Sequence, residues 1–198
     1  MTNLPDLSSY RFSAIVFDCD GTLVDTAPLH YESFRNGLLQ QGLDMEREWY
    51  LERTGLSRHS LIDAYSADYG KTIDEPAVVI ASEAWFRANV HTVLEIETVA
   101  GIARKYSGTV PIAVASGGQR VHVQGSLTAT GLIDLFDAVV TLEDVGVGKP
   151  DPAVFLRAAD VLGVPAKDCL AFEDTDEGVE AAKRAGMTVI DVRTLLHS

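Results

Sequence analysis

The stretch Ala14-Ile15-Val16-Phe17-Asp18-Cys19-Asp20-Gly21-Thr22 decides the fold. Four apolar residues run without a polar break and stop at an acid. A strand with one wet face would alternate. An unbroken apolar run is how a strand of a parallel sheet, buried on both faces, reads. In extended chain, residues two apart point the same way. Asp18 and Asp20 can therefore converge on one point just past the strand.

Working outward, four more short apolar runs follow at 111–115, 138–140, 170–172 and 188–190. Helical patterns separate most of them. Residues 120–130 carry apolar positions at 121, 123 and 127. Residues 152–162 start on Pro152, which suits a first helical turn. Residues 177–185 end before Gly186, a C-terminal stop. Strand–helix alternation predicts a parallel sheet covered by helices, with right-handed crossovers. Ligands of such sheets sit beyond the carboxyl ends of the strands. From about residue 28 to residue 97 the rhythm breaks. Helical segments are expected at 28–41, 45–53, 60–69 and 76–90, with no clear strand. This reads as a helical insertion directly after the first strand.

The strand ends carry the chemistry. The first runs into Asp18 and Asp20, with Gly21 and Thr22 beyond. The second ends at Ser116-Gly117-Gly118, a hydroxyl beside backbone with no side-chain bulk. After the third comes Gly148-Lys149-Pro150-Asp151-Pro152. The fourth ends in Glu173-Asp174. Four carboxylates facing one another need a cation, and hard oxygens suit Mg²⁺, which in turn accepts phosphate oxygens. A lysine and free N–H groups complete a cradle for the same anion.

Each feature has an ordinary reading alone. Asp-x-Asp-Gly-Thr can be a turn with a helix cap. It is not a calcium loop, because Leu23 stands where the sixth-position glycine belongs. A serine caps, a lysine is solvated, and an acidic pair decorates a helix start. All four at strand ends or just beyond point to one site.

Those motifs, in that order, resemble the signature of the haloacid dehalogenase superfamily, over nearly the whole chain. The subgroup most similar contains β-phosphoglucomutase and small sugar-phosphate phosphatases. The tail from Phe172 to Gly178, with Asp191-Val192-Arg193, resembles the fructose-1-phosphatase-like branch. The resemblance implies a three-layer, Rossmann-like α/β core of sheet order 5-4-1-2-3. It places the core at 1–26 and 98–198 and a helical cap at 27–97. It implies Asp18 as nucleophile and Asp20 as acid and base, with neighbouring carboxylate charge raising the pKa of Asp20. Ser116 and Lys149 complete the catalytic set. Thr22, Gly117, Arg58 and His30 are expected at the substrate. N–H groups near Gly21, Thr22 and Gly117 are expected on the phosphate. Asp18, Asp20, Asp174 and Glu173 are expected around Mg²⁺, with Glu173 either a ligand through water or a support. The dehalogenase branch lacks the second aspartate, so Asp20 favours phosphoryl transfer.

The expected reaction is hydrolysis of a small sugar phosphate. Alternatives are a phosphosugar mutase, which would need a second phosphate clamp, and a receiver-like signalling module, which has no use for Asp20 as acid. In the insertion, Thr54-Gly55-Leu56-Ser57-Arg58 resembles a loop that brings an arginine to the substrate. Arg87 and His91 read as a solvated face, Thr26 and Pro28 as a hinge.

Composition narrows the field. The chain has 198 residues, 46% of them hydrophobic, enough for a buried core. Lys and Arg number 16 against 29 Asp and Glu, so 16 − 29 gives −13. Such a surface repels nucleic acid. No stretch approaches the roughly 18 apolar residues of a membrane helix, and residues 1–10 do not read as a secretory signal. A cytoplasmic monomer acting on a small phosphorylated metabolite is expected. Cys19 and Cys169 lack metal-ligand spacing and read as small buried residues.

Overall fold

The computed structural model describes residues 4–53, 56 and 58–196. Its chain divides into two compact units, Met1–Thr26 with Val93–Ser198, and Ala27–Thr92.

The first unit is built on a five-stranded parallel sheet. Its strands are β1 (Ala14–Phe17), β4 (Ile112–Ala115), β5 (Ala138–Val140), β6 (Cys169–Glu173) and β7 (Thr188–Asp191). They lie in the order β5-β4-β1-β6-β7. Read from the other edge, these are the fifth, fourth, first, second and third strands of this sheet. β1 is central: Val16 lies opposite Ala113 on one side and Ala171 on the other. All four of its residues are fully buried, as the unbroken apolar run requires.

The pleat separates that run into two sets. Ala14 and Val16 join Ala113, Ala115 and Ala171 in a cluster with Phe155, Ala158, Ala181 and Ala182. Those last four come from α8 (Ala153–Leu162) and α9 (Asp176–Arg184). The small strand side chains let both helices approach closely. Phe17 stacks on its register partner Phe172, with ring centroids 5.1 Å apart. Full burial of each such ring contributes about 2–3 kcal/mol. Cys19 and Cys169 are free and buried. Burial pushes the Cys169 thiol up to about 11, and the Cys19 thiol upward as well.

Three further helices, α5 (Glu97–Tyr106), α6 (Arg120–Ala129) and α7 (Leu142–Val145), and the terminal turn α10 (Arg193–Leu196), complete this unit. A two-stranded antiparallel ribbon joins β2 (Val24–Asp25) to β3 (Leu94–Glu95). A helical insertion with no clear strand was expected over 27–97. Leu94 pairs back with Asp25, and the compact helical unit closes at Thr92. The ribbon escaped notice because two residues per strand carry no periodicity. α5 starts on Ile96, which makes no side-chain cap bond, so no capping residue announced it.

The second unit holds α1 (Ala27–Leu39), α2 (Arg47–Leu51), α3 (Arg58–Tyr69) and α4 (Glu75–Asn89). Its core gathers Phe34, Leu38, Met45, Trp49, Leu61, Ile62, Tyr65 and Val78. α1 packs on α4 at Gly37, where an added Cβ would stand 2.7 Å from the Val78 carbonyl oxygen. α4 begins on Asp74, whose side chain accepts from the Ala77 N–H. Among the described residues, no helix is long and apolar enough to cross a membrane.

Candidate active site

The carboxyl ends of β1, β4 and β6 bring the expected residues together. Buried Asp18 follows β1, and its Oδ1 accepts from Lys149 Nζ at 2.6 Å. The same ammonium donates to Glu173 Oε1 at 2.6 Å. Lys149 thus stands between two carboxylates from different strands. Burial alone would lower its pKa, but the charges of Asp18 and Glu173 outweigh it and hold the ammonium firmly protonated. Asp18 is pushed well up, first by burial and then by Glu173, Asp174 and Asp20, with Lys149 opposing.

Glu173 is fully occupied. Its second oxygen, Oε2, accepts from Thr175 N at 2.7 Å and Thr175 Oγ1 at 2.9 Å. Thr175 also caps α9 by accepting from the Gly178 N–H. Gly178 rests directly on the Glu173 carboxylate: a Cβ there would fall 1.7 Å from Oε1. Of the two roles open to Glu173, ligand or support, this geometry fits the support.

Asp20 is gripped at one oxygen by Thr26 Oγ1, at 2.7 Å. Its other oxygen faces Ser116 Oγ at 3.5 Å, the outer limit of a hydrogen bond. Ser116 Oγ in turn accepts from Gly118 N at 2.9 Å, which folds the loop after β4 around the hydroxyl. Asp174 accepts from Thr22 Oγ1 at 2.9 Å. Burial, with Glu173 nearby, lifts Asp174 to about 6 against that hydrogen bond. Gly21 has φ +83°, and a Cβ there would stand 2.3 Å from Asp174 Oδ2. Only glycine lets the loops after β1 and β6 come this close.

One expectation is revised by this geometry. The Gly21 and Thr22 N–H groups bond within their own loop, to Val24 O at 2.8 Å and Cys19 O at 3.3 Å. They are turn-formers here, and the Thr22 hydroxyl serves Asp174. Nor do three His, Cys, Asp or Glu side chains among the described residues gather closely enough to hold a metal by themselves. The donor set nonetheless fits Mg²⁺. Four carboxylates stand at these strand ends, the Lys149 ammonium meets only Asp18 and Glu173, and burial raises both Asp18 and Asp174. Mg²⁺ takes one or two carboxylates and fills its remaining positions with water and phosphate oxygens.

In the helical unit, Arg58 pairs with Glu83 at 3.2 Å, and the His30 ring lies 5.1 Å from that of Phe86. Thr54, Gly55 and Ser57 lie outside the described residues. Arg87 lies in the last turn of α4, while His91 falls in the following 3₁₀ turn. Sequence reading missed Thr175 and took Thr26 only for a hinge. A threonine beside an acid two or six residues away carries no signal until the loop is folded.

Residues 12–186 match the family of haloacid dehalogenase-like hydrolases. The chain belongs to that family. Fructose-1-phosphate phosphatase YqaB of Escherichia coli is 31% identical over 185 residues, covering 93% of this chain and 98% of its own length. β-Phosphoglucomutase of Bacillus subtilis is 28% identical over 189 residues, covering 90% and 82%. Among solved structures, CbbY from Rhodobacter sphaeroides in complex with phosphate superposes with a TM-score of 0.79 at 26% identity, covering 91% of this chain and 85% of that one. In this haloacid dehalogenase-like hydrolase, Asp18, Asp20, Ser116, Lys149, Glu173 and Asp174 all fall within the first unit.

Proposed function

We propose that this chain is a phosphatase acting on a small sugar phosphate through a covalent phosphoryl group on Asp18. The observation that carries the reading is the buried Asp18 fixed beside the Lys149 ammonium, with Asp20 two residues on. Asp18 Oδ attacks phosphorus in line, and the ester P–O bond breaks as the new one forms. Asp20 gives its proton to the leaving oxygen. Asp20 then takes a proton from a water that attacks the phosphoryl group, and the bond to Asp18 breaks. Inorganic phosphate leaves, and Asp20 ends protonated, ready for the next ester. Lys149 orients Asp18 and balances charge on the transferring group; the Ser116 hydroxyl and Gly117 N–H face its non-bridging oxygens. Asp18, the Asp20 backbone carbonyl and Asp174 would hold Mg²⁺. Bound there, the ion offsets repulsion between carboxylate and phosphate.

The likeness to β-phosphoglucomutase keeps a mutase as the second reading. A mutase holds a second phosphate and needs unpaired cations for it. Arg58, the cation expected for that duty, is paired with Glu83, so a mutase would have to exchange that carboxylate for its second phosphate. The test is a panel of small phosphate esters with released phosphate measured with and without Mg²⁺. Steady release with no activating bisphosphate is expected. Release that depends on a bisphosphate would replace this reading with the mutase.

A further inference from the structure

The loop that presents Ser116 and Gly117 continues into α6, whose start is unusual. Its N-cap residue, Gln119, makes no side-chain cap bond. The Arg120 N–H is instead met from a distance, by both Glu143 oxygens at 3.0 and 3.1 Å. Glu143 belongs to α7, which begins directly after β5. The two segments are joined twice more. Arg120 Nη2 donates to Asp144 Oδ1 at 2.5 Å, and Leu142 N to Gly118 O at 3.3 Å. α7 itself is locked by a capping box. Thr141 N and Oγ1 donate to Asp144 Oδ2 at 2.7 and 3.1 Å, and Thr141 is fully buried. At its other end, Gly146 in a left-handed conformation turns the chain towards Gly148 and Lys149.

We infer that α7 is a strut between the Ser116–Gly118 loop and the Lys149 loop, and that Glu143 is the positioning residue that holds the first of them. This rests on the phosphatase reading of the site. α7 is clasped to the start of α6 through Leu142, Glu143 and Asp144, and Gly146, Val147 and Gly148 lead from it to Lys149. Glu143 touches neither substrate nor reacting atoms. It acts through the Arg120 N–H, fixing where the α6 start lies and so where the Ser116 hydroxyl and the Gly117 N–H point. A carboxylate at a helix start also complements its dipole. The Arg120–Asp144 pair, partly exposed, adds register more than energy.

The experiment compares Glu143→Ala with Glu143→Gln in the full chain. It reads kcat and KM on a phosphate ester, inhibition by inorganic phosphate, thermal melting, and amide exchange at Gly118. In Glu143→Ala, KM and the phosphate inhibition constant should each rise roughly fivefold, the loss expected for a missing helix cap. kcat should fall as well, because these groups also face the transferring phosphoryl group. Gly118 amide exchange should accelerate by a similar factor. Glu143→Gln keeps an acceptor oxygen and should restore most of the loss. Native KM and phosphate inhibition in Glu143→Ala would overturn the inference, and so would a Glu143→Gln variant as defective as the alanine. If the native chain turned over no ester, the phosphatase reading would fall. Gly118 exchange, which needs no turnover, would still decide for or against the clasp.

Discussion

Replacing Gly178 by alanine tests the support beneath Lys149. At the third position of a helix, glycine to alanine ordinarily stabilises by about 1 kcal/mol. Here the added methyl would stand 1.7 Å from Glu173 Oε1 and 1.9 Å from Cδ. That carboxylate cannot step aside freely, since Lys149, Thr175 N and Thr175 Oγ1 all hold it. Either α9 lifts or Glu173 turns and gives up an arm of the buried ion pair. Overpacking costs about 1–3 kcal/mol, and breaking a buried pair about 3–5. Set against the helix gain, a net loss of about 3 kcal/mol follows, or a fall in Tm of roughly 6–12 °C for a chain of this size. Lys149 and Asp18 shift with it, and a displacement near 1 Å is worth about 100-fold in turnover. Thermal melting and phosphate release read both effects. Gly101→Ala is the control. Its methyl would meet only the Leu4 Cδ2 at 2.7 Å, the end of a flexible side chain, so stability should hold or rise. A Gly178→Ala protein that melts at or above the native temperature would refute the reasoning.

Other substitutions separate the roles within the site. Asp18→Asn removes the nucleophile with little change of shape; turnover should disappear while the far-ultraviolet circular dichroism stays native, and retained activity would contradict the assignment. Asp20→Asn should harm sugar phosphates, with their poor leaving groups, far more than p-nitrophenyl phosphate. Equal losses on the two substrates would argue against acid catalysis at this position. Lys149→Met leaves Asp18 and Glu173 buried without their shared cation, and denaturant titration should show a loss of about 3–5 kcal/mol. An unchanged midpoint would mean that the two acids share another partner.

How much of this could be read from the chain differs by feature. The sheet was legible because β1, β4 and β6 are buried on both faces and so appear as unbroken apolar runs. The site residues were legible because a strand ends where its apolar run ends, and Asp18, Ser116 and Asp174 stand there. Orientation was not. Whether Glu173 meets a metal or supports a lysine depends on which groups reach each of its oxygens, and Thr175 and Lys149 come from different loops. The same holds for Gly178, which reads as a helix glycine until Glu173 is found beneath it. N–H groups near Gly21 and Thr22 were expected on the phosphate, and the bonds that occupy those two, to Val24 and Cys19, exist only in the closed turn. Ribbon β2–β3 was too short to leave a pattern.

The two buried cysteines have a practical consequence. With both thiols shielded and their ionisation pushed upward, almost no thiolate is present at neutral pH, and a reagent in solution has nothing to attack. Labelling of the folded enzyme should therefore wait on the opening of the sheet itself, so its rate becomes a clock for unfolding. A single cysteine added to the surface could carry a dye or spin label without first stripping the chain of its own.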